Sequence, residues 1–129
     1  MKVSTKIIIP LSFLIFIGIF LSIYYSVKGE TINNYMRNNK KVIESIAKVY
    51  DTMKRNGNIS TKDISENIIY FDPDIWYPLK YTIKGSTTRS LAIYCMYENS
   101  GGLSVEVKDL YSGEILATYS DFWGTQIKK

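Results

Sequence analysis

Leu79-Lys80-Tyr81-Thr82-Ile83-Lys84-Gly85-Ser86-Thr87, followed after Thr88 and Arg89 by Ser90-Leu91-Ala92-Ile93-Tyr94-Cys95-Met96-Tyr97, is the stretch on which the fold turns. Leu79, Tyr81 and Ile83 alternate with Lys80, Thr82 and Lys84; Leu91, Ile93, Cys95 and Tyr97 alternate with Ser90, Ala92, Tyr94 and Met96. Successive side chains leave a strand on opposite sides, so a period of two predicts half-buried strands, with Gly85-Ser86-Thr87 as the turn between them. Downstream, Asn99-Ser100-Gly101-Gly102 turns again, and Leu103, Val105 and Val107 alternate with Ser104, Glu106 and Lys108. Asp109 to Gly113 reads as a hairpin loop with Gly113 left-handed, and Ile115, Ala117 and Tyr119 complete a last strand. Connections this short predict a four-stranded antiparallel meander.

Upstream, the period changes. Ile32, Met36, Asn39, Ile43, Ile46, Tyr50 and Met53 recur at steps of four and three, the stripe of an amphipathic helix. Lys54 and Arg55 suit a helix C-terminus, and Asn56-Gly57 supplies its stop. Two uses of the stripe stand open. It packs on the sheet as the cover of its apolar face, or it pairs with the same helix of a second chain, with Asn39 setting the register. Ser60 and Asp63 match a loose capping box that opens a short helix to about Ile69, and Asp72-Pro73-Asp74 breaks the chain.

Residues 7–27 form an uncharged apolar run that includes Ile7, Pro10, Phe13, Phe16, Gly18, Phe20, Tyr24 and Tyr25. As a helix it covers roughly 31 Å, the thickness of a bilayer's hydrocarbon core. Pro10 falls in the first turn, where a missing N–H costs little, and Tyr24 and Tyr25 fall where an interfacial aromatic belt belongs. The run exceeds a cleaved signal's apolar segment, and bulky residues occupy the positions where cleavage needs small ones. The reading is therefore a short basic tail over 1–6, a transmembrane signal anchor over 7–27 and a juxtamembrane amphipathic helix over 28–57. A small antiparallel β domain over 58–129 forms one α+β unit with that helix. Lys2 and Lys6 argue for a cytoplasmic N-terminus, and Lys28, Arg37, Lys40 and Lys41 after the span argue against it; long C-terminal domains translocate despite such charges, so the C-terminal domain is expected outside the cell membrane.

Charge follows the same division. Residues 28–55 carry seven basic and three acidic side chains, and residues 56–129 carry seven and nine. Basic charge beside a membrane serves lipid phosphates or solvates a helix, so the partners expected are the bilayer and a homodimer or envelope protein met through the juxtamembrane helix, with no nucleic acid.

The chain has no histidine, which removes His-based acid–base catalysis and His metal sites. The single cysteine, Cys95, has no neighbouring base in the pattern and reads as a buried thiol. Asp72, Asp74, Glu98 and Asp121 match no calcium-loop spacing and read as solvated turn residues. No catalytic residue, metal or cofactor is expected. Asn58-Ile59-Ser60 fits a glycosylation sequon. Aromatic side chains are the unusual resource: Trp76-Tyr77 and Phe122-Trp123 bracket the sheet and, with Asn39, are the interaction candidates.

The opening Lys2-Val3-Ser4-Thr5-Lys6-Ile7-Ile8-Ile9-Pro10-Leu11 resembles the start of bacterial chemoreceptors and sensor kinases. Ile46-Ala47-Lys48-Val49-Tyr50-Asp51-Thr52-Met53 with Gly57-Asn58 is similar to their membrane-proximal helix and its end. That resemblance implies a dimeric, ligand-sensing module with a PAS-like sheet outside the membrane. The overall layout also resembles a type IV pilin or pseudopilin, which implies a structural subunit of a filament or secretion machine. It departs from that family in having no Gly or Ala before the apolar run and Leu11 in place of the fifth-position Glu.

Overall fold

The computed structural model describes residues 39–99 and 103–129, and the apolar run, Ile7 to Tyr25 included, lies outside them. Among the described residues no helix is long and apolar enough to cross a membrane. The described chain is α+β, with a five-stranded mixed sheet.

Helix α1 spans Lys40–Arg55 and presents Ile43, Ile46, Ala47, Tyr50 and Met53 to the core, all but Ala47 belonging to the stripe read from the sequence. Lys54 and Arg55 occupy its last turn, and Gly57, at φ +77°, reverses the chain where a side chain would be strained. β1 is only Ile59–Ser60, and the expected helix to Ile69 shrinks to one 3₁₀ turn, Ile64–Glu66, before strand β2, Ile68–Phe71. Asp72 and Pro73 do more than break the chain: the Asp72 carboxylate accepts the Asp74 N–H at 2.9 Å, and Pro73 starts the one-turn helix α2, Pro73–Trp76.

The main correction is helix α3, Tyr81–Asn99, which runs as 19 helical residues through the stretch read as two strands. The physical reason is its position. α3 lies between α1 and the sheet, so Leu91, Ala92, Ile93, Tyr94 and Cys95 are all buried in succession and no polar face remains to give a 3.6-residue period. Three of its hydroxyls bond within the helix: Ser86 donates to Thr82 O at 3.3 Å, Thr88 to Lys84 O at 2.7 Å and Ser90 to Thr87 O at 2.8 Å. Gly85, expected in a turn, is a buried helical residue.

With α3 as a crossover, β2 runs parallel to β3 (Ser104–Asp109), as such a connection requires. β4 (Ile115–Ser120) and β5 (Gly124–Ile127) add antiparallel, giving the order β1-β2-β3-β4-β5. The expected antiparallel meander is thus a mixed sheet of which only β3 and β4 were anticipated. α3 rather than α1 covers its apolar face; α1 lies against α3 and the edge strand β1. Gly113 has the left-handed conformation expected of it, at φ +77°. A register shift at Val107/Lys108 turns Leu116 into the core and leaves Ile115 at the surface. Glu106 and Lys108, on the open face, pair at 3.3 Å.

Candidate functional site

The reactive groups of the core are tied into packing. Cys95 is buried, and that burial pushes its thiol up to about 12, so it stays protonated at neutral pH. Tyr50 is raised by burial, against a hydrogen bond with Ser90 that acts the other way; Tyr94 is raised by burial and by its bond to Asp51. Among the described residues no three His, Cys, Asp or Glu side chains come together to hold a metal ion. Asp109 is held low: burial raises it, but backbone N–H donors from Ser112 and Tyr111 outweigh burial and fasten the β3–β4 turn. A shallow groove of about 300 Å³ between α1 and Tyr97 is lined by Glu44, Ser45, Ala47, Lys48 and Asp51, a mixed polar and apolar set.

Among the described residues the large exposed apolar side chains, Ile115 apart, are aromatic, and they are divided between two ends. At one end the helices and the sheet can be aligned residue by residue. Tyr94 bonds Asp51 at 2.7 Å, and Tyr97 lines a groove with Glu44 and Lys48, so α1 and α3 are antiparallel and α1 begins where α3 finishes. Asn99 at the end of α3 donates to Asn67 at 3.0 Å, and Asn67 donates to Ser104 at 3.0 Å. Ser104 pairs with Ser120, whose hydroxyl accepts the Trp123 N–H at 3.1 Å. The β4–β5 turn is therefore at the end where the chain enters α1. Phe122 and Trp123 project from it, 83% and 72% exposed, stacked edge to face with centroids 4.8 Å apart.

The opposite end, one strand length or about 20 Å away, gathers the start of α3, the β3–β4 turn and the C-terminus. Lys84 Nζ donates to Lys129 O at 2.8 Å and lies 5.8 Å from the Tyr77 ring centroid. Lys129 pairs with Glu114 at 2.9 Å, and that partner raises its pKa. Tyr77, Tyr81 and Tyr111 are all exposed here. The result is an aromatic surface interleaved with lysines, able to meet a partner by ring contact and charge.

Of the sequence candidates, Phe122, Trp123 and Tyr77 are thus on the surface, but not together. Trp76 is a correction: at 0% exposure it packs edge to face on Phe71, 5.4 Å away, inside the core. Asn39 sits at the start of α1, half-buried, its carbonyl accepting the Ile43 N–H at 3.1 Å. Asn58 is fully buried, which withdraws the sequon from the folded surface. The described part of the stripe, Ile43 to Met53, lies inside the chain's own core. Tyr81 and Tyr111 were missed; Tyr111 had a signal, an aromatic beside Ser112-Gly113 in a tight turn, where nothing shields a ring.

No family model, no curated protein and no solved structure matches the chain.

Proposed function

We propose that this is a non-enzymatic, single-pass membrane protein whose α+β domain stands outside the cell membrane and binds a ligand or protein partner through its membrane-distal end. The observation that carries the reading is the uncharged apolar run of residues 7–27, long enough as a helix for a bilayer core. In support, α1 receives the chain at one end of the domain, which leaves Tyr77, Tyr81 and Tyr111 with Lys84 at the end turned away from that attachment. Rings exposed beside lysines suit a protein surface or an acidic, aromatic-stacking ligand. The role is closer to the sensor-like module than to the pilin-like subunit, because a helix laid directly on an antiparallel meander, the layout behind the pilin likeness, gives way to α1 on α3 above a mixed sheet.

A reporter active only outside the cytoplasm, fused after Lys129, tests the topology. An active fusion in the carbonate-resistant membrane fraction is expected; an inactive one overturns the reading. The intact mass separates the sensor-like from the pilin-like role, since loss of Met1 to Lys6 would be the mark of pilin processing.

A further inference from the structure

We propose that the β4–β5 turn inserts Phe122 and Trp123 into the headgroup region of the bilayer that holds residues 7–27, so that the domain rests on the membrane at two points. The inference rests on the anchored reading given above. Three observations lead to it.

Both rings are exposed and stack on each other rather than on the described core. The turn is held by other means: the Ser120–Gly124 pairing, the Trp123 N–H on Ser120 Oγ, and Gly124 at φ +70°. Rings of this size bury roughly 150–250 Å² each when covered, and here both stand in water. Trp and Phe have an apolar body that favours the membrane–water boundary, where Trp is enriched.

Their place is also the right one. They lie at the end of the domain where α1 begins, on the turn that joins β4 to β5, while α1 packs on α3 and on the opposite edge strand β1. β1 and β5 are four strand spacings, about 19 Å, apart. Anchor and aromatic turn therefore stand under one end face, which would fix the orientation of the domain and lift the Tyr77 end away from lipid.

The tether makes a modest affinity sufficient. Residues 28–39 reach at most about 43 Å when extended, so the turn is confined close to the surface and insertion is intramolecular. At this end Lys40, Lys41 and Lys62 are outnumbered by Glu44, Asp63, Glu66, Glu98 and Asp121, so nothing in the described charge draws it to anionic lipid and the contact is apolar.

The test uses the full chain in phosphatidylcholine vesicles, with bromines carried at shallow depth on a fraction of the acyl chains. The two tryptophans report separately, because Trp76 is enclosed in protein and Trp123 is not. Wild-type emission is expected to fall with bromolipid, and Trp123→Phe to abolish that loss while the protein stays carbonate-resistant. If the protein stays in the vesicles but Trp123 is quenched by aqueous acrylamide and not by bromolipid, the inference is overturned and the anchor stands. Protection from both quenchers that varies with the protein-to-lipid ratio would mean a second copy covers the rings, which also overturns it. Release by carbonate removes the anchor itself, a separate failure.

Discussion

The Tyr94 hydroxyl donates to the Asp51 carboxylate at 2.7 Å, joining α3 to α1 across 43 residues of sequence. The Tyr94 ring lies 5.4 Å from that of Tyr50, whose hydroxyl meets Ser90 on α3. The helix–helix seam is thus apolar in bulk and located by two polar links. A hydrogen bond to a charged group contributes about 1.5–3 kcal/mol, and its loss leaves a half-buried carboxylate without that donor. Tyr94→Phe is expected to lower the unfolding free energy by about 1–3 kcal/mol in urea titrations. A double-mutant cycle with Asp51→Ala should return a coupling of about 0.5–3 kcal/mol; additive effects would show that the link contributes nothing.

Alkaline pH should loosen the same seam. Cys95 is raised from its ordinary 9.0 to about 12, and Tyr50 and Tyr94 are raised above 10.0. These groups keep their protons in the folded state after the unfolded chain has released them. Stability is therefore full below about pH 9 and falls as pH rises, by up to about 1.4 kcal/mol per pH unit for each group so held. In Cys95→Ala the onset of the decline should move from about pH 9 to about pH 10, measured by denaturant unfolding at a series of pH values. An unmoved onset would exclude the thiol as a contributor.

Gly85 offers a test of α3 itself. A Cβ there would have Arg89 Nη1 at 3.8 Å as its nearest neighbour, an ordinary contact. Gly85→Ala should stabilise the protein by about 0.5–1 kcal/mol, because alanine loses less backbone entropy in a helix. Had these residues formed a strand–turn–strand, the same change would have been destabilising. Gly57→Ala is the opposite control: the φ of +77° makes a side chain costly, by about 1 kcal/mol, although nothing lies within 4 Å. Thermal melts of the two variants should shift in opposite directions.

The two tryptophans should differ sharply on truncation. Trp76→Ala removes a fully buried ring against Phe71 and should cost about 3–5 kcal/mol. Trp123→Ala should change stability by no more than about 0.5 kcal/mol, since the ring is exposed. Chemical denaturation followed by circular dichroism gives both values. A costly Trp123→Ala would mean that the ring is structural.

Parts of this architecture were readable from local pattern. α1 was, because one face meets core and the other water, and Ile43, Ile46, Tyr50 and Met53 record that difference every three or four residues. The reversal at Gly57, the left-handed Gly113 and the alternation of Val105 and Val107 in β3 were readable for the same reason: each is set within a few residues of chain. Of the aromatic candidates, Phe122, Trp123 and Tyr77 are exposed and Trp76 is buried. Adjacent aromatics carry no mark of which one turns inward.

By itself, then, the sequence determined the helix at 40–55, the β3–β4 hairpin, the absence of histidine chemistry and the apolar run that gives the chain its proposed home. Tertiary structure alone decided that 81–99 is a helix, that β2 and β3 run parallel, and that Leu116 rather than Ile115 enters the core. Periodicity reports only the boundary between water and core. A helix enclosed between another helix and a sheet has no such boundary, and the pairing of strand residues 38 apart depends on what that helix spans.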